Sequence, residues 1–282
     1  MLHPERVAWV ARALALGVFL GAIGIALMST ARAAPARLQE RAEDGRSPDA
    51  FAATVWEQAI ASKGGRERLQ SVRNFVVRSR EDFSRSTRPD VATHEDIERL
   101  YVVAGKLWEF VDHRPGIMGA SGLILDSAQH QAWGSNGYPA KSAYPELVYR
   151  LTEGQCLYLM ETTKVRPKPV SVRSDRLRSS EVDIVETQVA GDRVDFYLDH
   201  ASHLPVRIVT FRNLRAGSAP SRRIFRLSDY QAIEGIQMPA KVRLGDDDTE
   251  MTSTTYHFNV DYDESIFNPQ SLRFEAQGWM KK

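Results

Sequence analysis

From Asn74 to Tyr262 the sequence alternates with a period of two, and this constrains the fold more than any other feature. NFVVRSREDFSR, DIERLYVVA, KLWEFVDH, GLILDSAQHQAWGS, EVDIVETQVA, DRVDFYLD, LPVRIVTFR, RRIFRLSDYQAI, IQMPAKVRL and EMTSTTYHFNVDY are rich in β-branched and aromatic residues. Gly105, Gly191-Asp192, Gly235 and Gly245-Asp246 separate several of them, as turns separate strands. No alternating strand–helix–strand rhythm runs through this region. The pattern predicts a long antiparallel meander of roughly ten strands.

Two segments break the meander with helical spacing. In DAFAATVWEQAIASKGG, residues Ala52, Val55, Trp56, Ala59 and Ile60 form one stripe, closed by Gly64-Gly65, which predicts a helix from Asp49 to Ser62. RERLQSV adds a short turn through Leu69 and Val72 and leads into the first strand. A second helix is expected from Tyr144 to Thr163, burying Leu147, Val148, Leu151, Tyr158 and Leu159, with Gly154 a point at which it could split. PGIMGASG reads as a mobile loop. One α+β, mainly β architecture gives both apolar stripes a partner: a curled antiparallel half-barrel with the helices on its concave face. A closed barrel is the alternative.

The amino terminus reads as an export signal. Arg6 and Arg12 precede an apolar run from Ala13 to Met28, and Ala31-Arg32-Ala33 offers small residues for cleavage near Ala33. The run of about 16 residues is short for a membrane span, the competing reading. Residues 34–48 are polar and unpatterned and read as a flexible linker, leaving 49–282 as a single domain of ample length for a core. No cysteine lies near the cleavage site to carry a lipid. With 37 Lys+Arg against 36 Asp+Glu, the chain is nearly neutral, which gives no sign of nucleic acid. The single cysteine, Cys156, cannot form an intramolecular disulfide, so an exported domain here rests on its core.

Sites of chemistry are sparse in the sequence. Asp199, His200 and His203 in DHASHLP offer three metal-ligand types, and a metal-dependent hydrolase built on His200 and His203 is one reading. Against it, His-x-x-His lacks the helical spacing and the glutamate of HExxH, whereas an aspartate ending one strand and Leu204-Pro205 starting the next make a hairpin. Gly-x-Ser-x-Gly is absent. The acidic run GDDDTE, Gly245 to Glu250, lacks the spacing of a calcium loop and reads as a solvated turn. Cys156 reads as a buried, inert thiol. No catalytic residue, metal or cofactor is assigned.

Two features point to lipid. KVRPKPVSVRSDRLR and RNLRAGSAPSRRIFR are strongly basic, and Arg173, Arg176, Arg178, Arg222 and Arg223 are candidates for binding phosphate-bearing headgroups, with a solvated loop face as the competing reading. A concave sheet lined by large side chains could also hold a dry cavity; Trp56, Ile60, Trp108, Phe110, Trp133, Phe196, Leu198 and Phe258 are the candidates to line it.

The segments SKGGRERLQSVRNFVVRSRE, LILDSAQHQAWG, VDFYLDHASHLPVRIVTF and FRLSDYQAIEGIQMPAKVRL, in this order, resemble the bacterial outer-membrane lipoprotein-sorting and lipoprotein-carrier (LolA/LolB-like) superfamily. The shared elements are a Gly-Gly helix end before Leu-x-x-Val, a strand ending in Asp with a following Leu-Pro, and an Asp-Tyr strand turning through Gly235 to Pro239. The resemblance implies a half-open barrel lidded by helices that shields acyl chains in the periplasm. It implies lipid or acylated lipoprotein as partner, a membrane-embedded donor and acceptor, and no enzymatic activity. The chain is longer than the carrier itself, mostly at Arg114 to Ala143 and Lys164 to Glu181, and none of the carrier's own functional residues is matched here. An envelope-stress sensor of the same fold is the second reading.

Overall fold

The computed structural model describes residues 48–82, 94–113, 119–212, 220–245 and 251–272. The expected export signal, nearly all of the linker, and the runs 114–118, 213–219 and 246–250 lie outside the described residues. Residues Ala42–Lys282 make one compact unit.

Twelve antiparallel strands form one open sheet: β1 (Asn74–Asp82), β2 (His94–Val102), β3 (Lys106–Asp112), β4 (Ala120–Asp126), β5 (Gln131–Trp133), β6 (Lys168–Leu177), β7 (Ser180–Val189), β8 (Asp192–Asp199), β9 (Pro205–Arg212), β10 (Ser221–Ile233), β11 (Ile236–Leu244) and β12 (Met251–Phe258). Their spatial order is β5-β4-β3-β2-β1-β12-β11-β10-β9-β8-β7-β6. β5 and β6 are therefore free edges, and the sheet is not a closed barrel. Eight register positions pair β1 with β12; among the described residues the β11–β12 register is Lys241↔Ser253 and Val242↔Thr252, supplemented by bonds from Thr254 Oγ1 and Tyr256 OH to the Pro239 carbonyl. The sheet thus divides into two six-strand halves at a short ladder.

Three helices accompany it: α1 (Pro48–Lys63), α2 (Arg66–Ser71) and α3 (Tyr144–Leu159). The topology explains where α3 lies. The chain leaves the meander at one edge, β5, and re-enters at the other, β6, so the segment between must cross the sheet. Twelve strands laid flat would measure about 50 Å across, while a 16-residue helix is about 24 Å long. With the sheet curled and left open, the helix and its flanks span the chord while the strands follow the arc.

Alternation decides what faces the helices. Phe75, Val77, Tyr101, Leu107, Leu125, Val185, Val194, Phe196, Leu198, Ile208, Phe225, Tyr256 and Phe258 share one core cluster with Val55, Trp56, Ala59, Ile60, Leu147, Leu151 and Tyr158 from the helices. Trp56 meets Phe196 edge-on with ring centroids 4.9 Å apart. Under α3, Phe75 stacks on Tyr101 at 4.7 Å, and Tyr158 lies 5.6 Å from Tyr256. The opposite face of β1 to β5 has a separate core in which Val76, Leu100, Trp108, Phe110 and Ile124 are covered by Phe267 and Leu272, carried by the carboxy-terminal 3-10 turns Glu264–Phe267 and Pro269–Leu272.

α3 runs unbroken through Gly154, the point at which the sequence allowed a split. A Cβ there would lie 2.3 Å from the Tyr101 ring, so glycine is what lets the helix backbone rest on β2. Gly64, at φ 137°, ends α1 where a Cβ would lie 2.7 Å from the Gly235 carbonyl oxygen. Arg68 pins the same junction, donating from Nη1 to the carbonyls of Gly64 (2.9 Å) and Gly235 (3.1 Å). Two strands exceed the expected ten. LILDSAQHQAW folds back on itself as β4 and β5, and the basic stretch Lys168–Leu177 is the edge strand β6 rather than a loop.

Candidate functional site

Two clefts border the helices. The first, of about 190 Å³, lies between α3 and strands β7 to β9. Its apolar wall is Val148, Cys156, Val189 and Val194; Tyr149, Glu153, Thr210 and Arg212 supply its polar groups. α3 begins at Tyr144-Pro145, with proline in its first turn, where no amide is needed. Three and four residues on from Tyr149, helical periodicity places Thr152 and Glu153 on the same side.

Glu153 is buried. It accepts from Thr210 Oγ1 (2.8 Å) and from Arg223 Nη1 (2.6 Å). Burial raises its pKa above the usual carboxylate range against the pull of Arg223. Burial likewise pushes the Tyr149 hydroxyl up to about 12 and the Cys156 thiol upward, so Cys156 is no nucleophile at neutral pH. Arg212 lies 4.5 Å over the Tyr149 ring and pairs with Glu146. The cleft therefore combines one apolar wall, a carboxyl whose pKa burial raises, and a guanidinium stacked on the Tyr149 ring.

The second cleft, of about 370 Å³, lies beside α1 and α2 and is lined by Trp56, Glu57, Arg66, Gln70, Glu161, Arg166, Pro167 and Pro169. Arg66, Glu57 and Glu161 are already committed to one another. Arg66 donates to both oxygens of Glu57 at 2.9 Å and to Glu161 at 2.9 and 3.1 Å, while Gln70 donates to Glu161 at 2.8 Å. This network fastens α1 and α2 to the segment following α3. On its buried side α1 carries two donors that bond to nothing, Trp56 Nε1 and Lys63 Nζ, seven residues and so nearly two full turns apart.

The structure divides the eight side chains expected to line one cavity. Trp56, Ile60, Phe196, Leu198 and Phe258 meet under the helices. Trp108, Phe110 and Trp133 belong to the other face, under the carboxy-terminal turns, with the Trp108 and Phe110 rings stacked at 6.3 Å. One cavity cannot be lined by both groups. The five arginines expected to bind headgroups are divided too. Arg173, 3.7 Å from Asp195, and Arg222, opposite Phe211, belong to the sheet face turned away from the helices. Arg176 pairs with Glu181 at 3.6 Å, Arg178 sits in the β6–β7 turn at φ 58°, and Arg223 points in to Glu153. Glu153, Tyr149, Thr210 and Arg212 were not singled out by sequence; the signal was a Glu-Gly-Gln triplet inside an otherwise apolar helical stripe.

DHASHLP is a hairpin turn. Asp199 Oδ1 accepts from the amides of Ala201 (3.2 Å) and Ser202 (2.8 Å) and from Ser202 Oγ (2.9 Å), and His203 takes φ 57°. His200 Nδ1 lies 2.8 Å from Asp183. Asp199 is thus consumed by the turn, and among the described residues no three His, Cys, Asp or Glu side chains gather as metal ligands.

A different histidine has the outline of a relay. His113 Nδ1 lies 2.6 Å from Glu95 Oε1, and Nε2 lies 2.9 Å from Ser121 Oγ. Acyl transfer also needs backbone donors aimed at an oxyanion. The neighbouring amide, that of Gly122, is donated to Ser135 Oγ at 3.2 Å, and Ser121 sits inside a regular strand opposite Val111. Among the described residues, no helix is long and apolar enough to cross a membrane.

No protein-family profile matches the chain, and no curated protein matches it. Among solved structures, the chain is similar to a LolA superfamily protein from Nitrosomonas europaea, at 13% identity and a TM-score of 0.42 over 77% of this chain and 96% of that one. It is likewise similar to an outer membrane lipoprotein-sorting protein domain from Vibrio parahaemolyticus, at 13% identity and a TM-score of 0.39 over 78% of this chain and 97% of that one.

Proposed function

We propose that this is an exported, non-enzymatic carrier that shelters the acyl chains of a lipid or acylated lipoprotein between the curled sheet and its helices. The observation that carries the reading is the construction of the concave face. A wide apolar surface is covered by helices rather than by closure of the sheet, so moving a helix exposes a dry trough without breaking a strand ladder. α1 suits that role, because its docked face buries two unbonded donors, each of which costs about 1–3 kcal/mol. Its docking is therefore weaker than its apolar area suggests. Each methylene of a guest chain contributes about 0.8 kcal/mol when buried, and this offsets the loss of helix–sheet contact.

The test is made on Trp56, fully buried against Phe196. A tryptophan serving only as core costs about 3–5 kcal/mol when replaced by alanine. For Trp56→Ala the expected loss in urea unfolding is smaller than this, and the uptake of a fluorescent fatty acid changes. Core-like destabilisation with unaltered uptake would show that α1 is not the cover. Native mass spectrometry of protein from membrane-bearing cells is expected to show added lipid mass; consistently empty protein that also fails to take up fatty acid would sink the carrier reading itself.

A further inference from the structure

α1 ends on a lysine that the fold itself does not explain. Lys63 is wholly buried, and its Nζ bonds to nothing among the described residues. A lysine at a helix carboxy terminus ordinarily bonds the last carbonyls or reaches past apolar neighbours to water. Lys63 does neither. The carbonyls of Ile60 and Ala61 accept from the amides of Gly65 (2.9 Å) and Gly64 (3.2 Å), and that of Gly64 accepts from Arg68 Nη1 (2.9 Å). Glu57, on the same helix, is held by Arg66. Nζ lies 5.2 Å over the Tyr230 ring, whose hydroxyl donates to the Pro205 carbonyl at 2.6 Å. Burial alone lowers the pKa of the amine, with no carboxylate to restore it.

The position of this amine matters as much as its isolation. Lys63 stands where α1 meets the β10–β11 turn, since a Cβ on the next residue, Gly64, would lie 2.7 Å from the Gly235 carbonyl oxygen. Seven residues back on the same side of α1, about 10 Å away, Trp56 Nε1 is likewise buried and unbonded. Trp56 packs on Phe196 and borders the cleft of about 370 Å³. Ala59 and Ile60, between the two, are buried. The underside of α1 is thus an apolar track with an unanswered amine at one end and an unanswered indole N–H near the other.

We infer that Lys63 Nζ binds the anionic head, carboxylate or phosphate, of a free lipid whose acyl chain lies along the underside of α1 towards Trp56. The inference rests on the carrier reading and narrows it. Charge complementarity selects the head: a buried ammonium is stabilised by a counter-charge bonded directly to it, whereas a neutral head leaves Nζ as solitary as in the empty protein. An acyl chain joined to a protein through an ester or amide brings no such charge. The guest at this site is therefore a free fatty acid or a phosphate-bearing lipid rather than the acyl end of a lipoprotein.

The experiment measures binding of lauric acid, dodecyl phosphate and dodecanol to the full-length chain by calorimetry near neutral pH, in wild type and in Lys63→Met. The three ligands share one chain length and differ in the head. A hydrogen bond to a charged group is worth about ten- to a hundred-fold in affinity, so wild type is expected to prefer at least one of the anions to the alcohol by that factor, and the variant to lose the preference. Which anion is preferred identifies the head, and either supports the inference. A second measurement needs no variant: a water-soluble carbodiimide condenses a carboxylate with an adjacent amine, taking up the water as its urea, so lauric acid is expected to form an amide on Lys63, located by peptide mass spectrometry. Acylation confined to other lysines overturns the inference, as does wild-type binding of dodecanol as tight as that of both anions, or a preference that survives Lys63→Met. In each of those cases the chains still bind and the carrier reading stands; binding of none of the three overturns both.

Discussion

Lys63 is a buried lysine without a counter-charge or hydrogen-bond partner among the described residues, and replacing it with methionine tests whether the docking of α1 is held back by buried charge. Its side chain is fully buried at the end of α1, Nζ lacks a hydrogen-bond partner, and it lies 5.2 Å over the Tyr230 ring. Desolvation lowers its pKa from 10.5 to about 7. Between those two values the unfolded chain holds a proton that the folded chain has released, so stability rises with pH across this window. Below about pH 7 the folded protein carries the ammonium and the cost is complete; above about 10.5 it is gone. With about 1.4 kcal/mol per pKa unit, the penalty is about 5 kcal/mol near pH 6 and about 2 kcal/mol near pH 9. Methionine matches lysine in length, adapts to irregular space and carries no charge. Lys63→Met is therefore expected to stabilise the protein, by about 3 kcal/mol more near pH 6 than near pH 9. Urea unfolding of both proteins at the two pH values gives that difference directly, and all other titrating groups cancel between them. A gain that is the same at both pH values would refute the argument. If α1 is the movable cover, the same substitution holds it down, and fatty-acid uptake is expected to slow.

Two further substitutions probe other parts of the core. Gly154→Ala places a methyl group 2.3 Å from the Tyr101 ring and is expected to cost about 1–3 kcal/mol by overpacking, even though alanine is the better helix former; a stabilised variant in thermal melting would mean that α3 does not rest on β2 as described. Glu109, buried between Arg99 and Arg150, tests the charge network beneath α3: Glu109→Gln leaves two guanidiniums without their acid and is expected to cost about 3–5 kcal/mol in urea unfolding near neutral pH. Burial alone would raise the pKa of Glu109, but the two arginines outweigh it and hold the carboxyl below its ordinary 4.5. The contribution of Glu109 is thus present above about pH 4.5 and lost as pH falls through the lower folded value, so the variant's deficit is expected to shrink in acid.

The order of elements was legible because each carried its own period. α1 from Pro48 to Lys63 and ten of the twelve strands follow from apolar spacing and turn residues alone. β6 was hidden by its position. As an edge strand it is guarded by charge and by Pro169, at which its register with β7 shifts, the devices that keep an edge from pairing further. In KPVSVRSDRL only Val170 and Val172 report the alternation; the rest looks like a basic loop.

The candidate site was less legible, and β3 shows why. In Lys-Leu-Trp-Glu-Phe, alternation separates Leu107 and Glu109 from Trp108 and Phe110, and the ordinary inference sends the aromatic side inward and the glutamate to water. Both sides of β3 are buried. Leu107 and Glu109 face the helices, where Arg99 and Arg150 neutralise the acid, while Trp108 and Phe110 are covered by Phe267 and Leu272. A sequence records which residues share a face, but not what will come to cover it. Two of the coverings here arrive from far along the chain: Arg150 is 41 residues from Glu109, and the carboxy-terminal turns follow β12.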